Sequence, residues 1–327
     1  MFINKEGLIR SGWKIALVFT IVFGLVYLEG YLFDYFANLH VEALGGTQAD
    51  INRAYAALYS QWEWLLFLIR EAVIIAVPVI AWKGFSRRKL EDMGLGRLRI
   101  NKKPFGVGLL VGIVSITVAF IVILLTGNGY VESWTPQFSA NTILYLFVFI
   151  VVGFAEEILT RGYFMSVLRQ TRCMPLVVFI SAVMFSLMHV MNNAFNVIPF
   201  INITLAGLLF AYMYLKSGSI WMPIGYHIAW NYFQGNVYGF PVSGVDSQGI
   251  ISTQYASDTI LNGGAFGPEG GLVVTAVIIF GFVFVRWHYR KSKFKFLDMD
   301  TPAALQALHL KIGLDSKNAC IKETLIK

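Results

Sequence analysis

Eight apolar stretches, each near the ~17–25 residues a helix needs to cross a hydrocarbon core, run through this chain and decide what solvent it folds in. They cover 14–36, 62–82, 105–125, 142–164, 175–191, 199–215, 220–234 and 271–287, the fifth to seventh being short. Inside a bilayer every backbone N–H and C=O must be bonded within the protein, so these stretches are expected as helices. The expected fold is all-α, a polytopic transmembrane helical bundle of about eight spans with both termini cytoplasmic. Composition agrees: 57% of residues are apolar and only 14% charged, against roughly 25% charged in a soluble domain. Disorder is excluded by 27 Phe, 15 Tyr and 8 Trp.

The net charge of +7 raises the question of nucleic acid, which the position of the basic residues answers. With an inside amino terminus, 23 of the 26 Lys and Arg fall on the cytoplasmic side, Arg53 falls outside, and Arg70 and Arg161 fall within spans. That is the asymmetry of the positive-inside rule, and attraction to an anionic leaflet accounts for the basicity, so no nucleic-acid partner is expected. The first span follows Lys5, Arg10 and Lys14 as a signal peptide would, but Glu29, Tyr31 and Phe33 stand where a small-residue cleavage site would lie; an uncleaved anchor is expected. Two cysteines, Cys173 and Cys320, both on the cytoplasmic side of this topology, argue for reduced thiols and against a disulfide framework.

Three regions follow: an amino-terminal membrane region, 1–141; a core of five spans, 142–290; and a cytoplasmic tail, 291–327, expected as a surface helix around Leu305, Leu308 and Leu310. The loop 235–270, rich in Gly and Ser and without Lys or Arg, fits an exposed outer loop. No internal repeat is visible.

An ionisable residue inside a span costs about 2.5–3.5 kcal/mol on insertion scales and so needs a partner or a purpose. In AEEILTRG, Glu157 and Arg161 are four residues apart on one helix face, in the favourable acid-before-base order. Glu156, rotated by about 100° from its neighbour, has no partner in its own helix and is a candidate base or metal ligand. An interhelical ion-pair cluster is the plainer account of this motif alone. Phe185 and His189 lie one turn apart in FSLMH, and His227 and Asn231 do so in WMPIGYHIAWN. Each pair alone fits an ordinary helix–helix hydrogen bond. Pro223 and Gly225 loosen the backbone before His227 and fit a water-filled recess there. One carboxylate pair, two histidines and an Asn together look like a site.

Depth agrees only in part. Glu156 is about 12 Å from the inner end of its span at Phe164 and His227 about 10 Å from Ile220, but His189 is about 21 Å from Pro175. The start of the fifth span is taken as the weak boundary. Arg70 and Glu71, in the second span, are expected to form a structural salt link to another helix, with a role in a substrate groove as the alternative.

Glu-Glu-x-x-x-Arg, Phe-x-x-x-His and His-x-x-x-Asn, in this order on separate helices, resemble the CPBP intramembrane proteases, the CAAX-processing and bacteriocin-processing group also called the Abi family. The resemblance covers about 144–231, and SGSIWMPIGYHIAWN looks especially like the family's last motif. It implies that Glu156 and His189 position and activate the attacking water. Glu157 and Arg161 would support them, and His227 and Asn231 would stabilise the oxyanion or help to bind a metal. The substrate would be a membrane-associated protein or peptide, of the CAAX or the peptide-maturation and bacteriocin-immunity type, cleaved in a cell membrane.

Glu156, His189 and His227 could hold catalytic zinc with an open position for water. HExxH is absent, however, and Asn is an uncommon zinc ligand, so a metal-free glutamate mechanism stands beside the metalloprotease reading, which is slightly preferred. Two other functions stay open: a proton-coupled transporter using the same buried groups as a relay, and a non-catalytic peptide-binding immunity protein. Oligomeric state is left unassigned.

Overall fold

A computed structural model describes residues 9–300 of the chain. The tail helix around Leu305, together with Cys320, lies outside the described residues. Each of the eight apolar stretches falls wholly or mostly on helix, residues 188–191 at the end of the fifth lying on a turn; the chain is a multi-pass membrane protein, and its described residues form an all-α fold apart from one short antiparallel pair of strands. The chain divides into two compact units, residues 1–87 and 88–327.

The first unit is a helical hairpin of α1, Ser11–Leu44, and α2, Gln48–Ala81, the latter running into a π-helical turn, Trp82–Ser86. α2 begins fourteen residues before the apolar stretch, because Thr47 and Asp50 form a capping box: Asp50 N donates to Thr47 Oγ1 at 3.3 Å and Thr47 N to Asp50 Oδ2 at 2.9 Å. The salt link expected for Arg70 is present, its Nε lying 2.9 Å from Glu29 Oε2 on α1. An interhelical ion pair therefore explains Arg70.

The second unit opens with a 3-10 turn, Leu90–Met93, and α3, Leu98–Leu125. The strand β1, Gly129–Ser133, then leads to α4, Ala140–Glu157. Helical structure continues from α4 through a π-helical segment, Ile158–Phe164, the short α5, Met165–Leu168, and a 3-10 turn, Arg169–Thr171. After a tight turn come α6, Met174–Leu187; α7, Val197–Ser217; and α8, Trp221–Tyr232, which passes into a second π-helical segment, Phe233–Val237. The strand β2, Ser252–Tyr255, pairs antiparallel with β1, and α9, Leu272–His288, follows.

α3, grouped above with the first two spans, packs in this second unit along α8, and small residues make the contact. A Cβ on Gly108 would lie 2.1 Å from the Met222 carbonyl oxygen, and one on Gly112 would lie 2.5 Å from that of Tyr226. This GxxxG spacing lets two backbones touch where lipid offers no hydrophobic drive for association. Gly225 belongs to the same crossing, its absent Cβ leaving room for the Phe105 carbonyl at 2.5 Å. The water-filled recess expected at Gly225 is thus replaced by a helix contact.

The loop 235–270 is not the exposed loop expected. Phe240 and Phe266 are each 1% exposed, and Asn262 is fully buried, donating its amide to the carbonyls of Asn128 and Ser257 at 2.9 and 2.8 Å. Pairing with β1 and these side-chain bonds satisfy the loop's backbone, so it folds as a cap instead of remaining in water. Burial pushes the Tyr255 phenol of this cap well above its ordinary pKa.

At the opposite end of the unit, Arg169 departs from its expected place in a solvated basic loop. It is 1% exposed, donates to the Asp92 carbonyl at 2.7 Å and stacks on the Phe296 ring at 4.9 Å. Cys173 lies at the neighbouring turn, and Cys320, the other thiol of that expectation, is outside the described residues.

The glycine crossing yields a paired prediction. Gly108→Ala should cost about 1–3 kcal/mol through overpacking and lower the unfolding temperature in detergent. Gly106→Ala, whose Cβ meets nothing within 4 Å, should not lower it. Equal melting of the two variants would remove the crossing as a structural determinant.

Candidate active site

The AEEILTRG motif sits where α4 gives way to the π-helical segment. Single-turn π segments of this kind are rare and concentrate at functional sites. Glu157 closes α4, and its Oε1 accepts from Arg161 Nη1 at 2.9 Å, with both side chains fully buried. Arg161 Nη1 also donates to Thr160 Oγ1 at 2.6 Å, and Nη2 donates to the Gly207 carbonyl of α7 at 3.1 Å. The guanidinium lies between two rings, Phe185 of α6 at 4.3 Å and Phe210 of α7 at 5.0 Å. Cation–π contacts of this kind gain strength where water is excluded.

Glu156 points elsewhere, as its 100° rotation requires. Its Oε2 is buried and has no hydrogen-bond partner among the described residues. Two imidazole nitrogens face that oxygen instead: His227 Nε2 at 3.8 Å and His189 Nε2 at 4.0 Å. These separations exceed a direct hydrogen bond and match a gap that one water molecule bridges.

The other nitrogen of each ring is already engaged. His189 Nδ1 lies 2.9 Å from the Phe185 carbonyl, an acceptor only, so Nδ1 donates that bond and Nε2 is the nitrogen left to face Glu156. His227 Nδ1 lies 3.3 Å from Glu157 Oε1, so it donates to the carboxylate that Arg161 also binds. Asn231 follows His227 by one turn on α8, is 6% exposed, and is joined by a hydrogen bond neither to Glu156 nor to His189.

Glu156, Glu157, Arg161, His189 and His227 are thus brought together, with Asn231 one turn from His227 along α8. Thr160, Gly207 and Phe210 belong to the same cluster and were not singled out from the sequence. Thr160 Oγ1 accepts from Arg161 and donates to the Glu156 carbonyl at 2.5 Å, linking the supporting pair to the backbone of the free carboxylate. Nothing in a lone threonine or an apolar phenylalanine marks such a contact in advance.

The mismatch between Glu156 and His189 disappears, and the boundary responsible is the end of the fourth helical run. α6 begins at Met174 as expected, whereas the fourth helical run continues past Phe164 to Thr171. Glu156 and His189 are therefore each about 15 residues, roughly 22 Å at the α-helical rise, from the turn between these helices. His189 itself lies outside helix, on a turn two residues beyond the end of α6 at Leu187.

Among the described residues no group of three or more His, Cys, Asp or Glu side chains is placed to hold a metal ion. Glu156, His189 and His227 as arranged do not fit that role, and no step below is routed through a metal.

A protein-family model described as Rce1-like, type II CAAX prenyl endopeptidase, matches residues 138–233. The match bears out the resemblance drawn from the motifs, and all six candidate residues lie inside it. No curated protein and no solved structure matches the chain significantly.

Adjacent glutamates with such different surroundings should respond differently to the same substitution. Glu157→Gln strands a buried guanidinium and should cost about 3–5 kcal/mol, read as a lower unfolding temperature in detergent. Glu156→Gln, at a carboxylate oxygen with no hydrogen-bond partner, should leave that temperature near wild type. A reversed ranking would contradict the division of labour within the pair.

Proposed function

We propose that the protein is an intramembrane endopeptidase that hydrolyses a peptide bond with a water activated by Glu156. The observation that carries this reading is the buried Glu156 Oε2, facing two histidine Nε2 atoms at 3.8 and 4.0 Å with no other partner. The family match over 138–233 supports a type II CAAX prenyl endopeptidase-like reaction, and so a prenylated, membrane-associated protein or peptide as substrate.

The residues divide the chemistry among them. A water between Glu156 and His189 donates one hydrogen bond to each, because the carboxylate and the His189 Nε2 lone pair are both acceptors. Glu156 takes the proton as the water oxygen attacks the scissile carbonyl carbon. The C=O electron pair moves to oxygen, and protonated His227 Nε2 and the Asn231 amide donate to that oxyanion. Glu156 then returns its proton to the leaving amine as the C–N bond breaks, so the carboxylate is regenerated and one water is consumed. Glu157 accepts from His227 Nδ1, and Arg161 holds Glu157 in place.

Hydrolysis of an internally quenched prenylated peptide in proteoliposomes tests this. Glu156→Gln should lower kcat by at least about 10²-fold while the protein remains folded, and His189→Ala and His227→Ala should also be severely impaired. Chelation followed by dialysis should leave the wild-type rate unchanged. Full activity in Glu156→Gln would sink the proposal; a rate lost to chelation and restored by zinc would return the metal to the site.

A further inference from the structure

His189 belongs to the proposed site yet stands on a turn, so something other than its helix must hold it. The turn 188–194 includes Ala194 at φ +56°, and the next helix does not begin until Val197. A loop residue keeps a catalytic geometry only when neighbouring structure holds it there.

The cap supplies those contacts from one two-residue turn. Val242 and Val245 pair with each other, N to O at 2.8 and 2.9 Å, and the residues between them, Ser243 at φ +49° and Gly244 at φ +84°, are both left-handed as a type I′ turn requires. The Ser243 carbonyl accepts from the Asn192 amide at 2.8 Å, and Asn192 N donates to the His189 carbonyl at 3.0 Å. On the other side of the turn, Pro241 O accepts from Gln234 Nε2 at 2.6 Å, three residues after Asn231. This single turn therefore reaches both histidine-bearing segments.

A serine at positive φ is strained and persists only where its surroundings impose it. Glu269 does so: one carboxylate oxygen, Oε2, accepts from both Ser243 N at 2.7 Å and Ser243 Oγ at 2.8 Å. Glu269 is 8% exposed, and its own backbone is tied to α7, where Asn202 Nδ2 donates to its carbonyl at 2.8 Å. A buried carboxylate receiving two hydrogen bonds from one strained residue is an expensive arrangement for a loop that merely covers the membrane surface.

We propose that Glu269 is a positioning residue for His189, acting through Ser243 and Asn192 so that the cap sets where the imidazole stands relative to Glu156. This rests on the endopeptidase reading for its kinetic consequence, but not for its structural one. Glu269 touches no reacting atom; it fixes the turn whose carbonyl fixes Asn192.

Two measurements on the full-length protein in detergent or proteoliposomes test it. In hydrogen exchange, Glu269→Ala should speed exchange across 188–196 and leave the middle of α6 protected. In peptide hydrolysis, Glu269→Ala should lower kcat on the order of 10–100-fold with KM little changed. Glu269→Gln, whose amide oxygen can accept both Ser243 bonds, should retain most of the wild-type kcat. The Glu269→Ala/Asn192→Ala double variant should be no worse than the poorer single variant, because both break one chain of contacts.

Exchange across 188–196 unaltered in a folded Glu269→Ala protein would overturn the proposal. So would additive losses in the double variant, or equal losses in Glu269→Gln and Glu269→Ala, which mark a general structural role. If wild type hydrolyses no peptide yet the exchange response appears, the endopeptidase reading fails while the positioning contact stands. Should Glu269→Ala fail to fold, Asn192→Ala gives the same exchange readout, and no local change there would equally overturn it.

Discussion

A guanidinium with no exposure to solvent has to be satisfied entirely by protein, and that demand at Arg161 organises the membrane core of the second unit. Its partners come from three different places. Glu157 and Thr160 lie in its own helical run, Phe185 on α6, and Gly207 and Phe210 on α7. Through Glu157 the network also reaches His227 on α8. A membrane helix bundle gains little from apolar contact alone, since lipid is as apolar as leucine, so a charge that must be shared among helices becomes a means of specifying their arrangement. The close approach of α7 to α6 belongs to the same arrangement: a Cβ on Gly207 would lie 2.9 Å from Ala182 Cα.

With Glu157 committed, the neighbouring Glu156 can do something else. One residue of helical rotation separates a carboxylate bound to a cation from one that faces only imidazole nitrogens across water-sized gaps. Two adjacent acids thus take different roles without any difference in residue type. The bound acid also sets the orientation of His227, because accepting from Nδ1 turns Nε2 toward Glu156. Structural and chemical functions are consecutive in sequence and continuous in space.

Much of this was legible beforehand, for identifiable reasons. Span positions follow from apolar runs, and the Glu157–Arg161 pair follows from a four-residue spacing. The interhelical link at Arg70 follows from the cost of an unpaired charge in lipid. What escaped was whatever depends on irregular backbone or on distant packing. A π-helical segment carries no compositional mark, so the fourth helical run was ended at Phe164 and the depth of Glu156 was underestimated. A stretch rich in Gly and Ser reads as solvent loop until its pairing with β1 and its buried Asn262 are seen. The turn that carries His189 beyond the end of α6 is bonded through Asn192 to Ser243, 51 residues later in the chain.

The matched segment 138–233 contains every candidate residue, yet it does not fix their geometry alone. His227 occupies a helix of only 12 residues, short for a bilayer, whose position is set by α3, outside the match. Gly108 and Gly112 admit the backbone of α8, and Trp221 Nε1 donates to the Gly96 carbonyl at 2.6 Å, tying the start of α8 to the segment before α3. His189 in turn is held by residues of the cap, beyond the other end of the match. The residues within the match therefore supply the groups that meet, and the flanking helix and cap of this chain help to specify how closely. A distance of 3.8 or 4.0 Å to Glu156 is the outcome of both. Transplanting the matched segment without α3 and the cap would carry over the six residues and lose the contacts that set these distances.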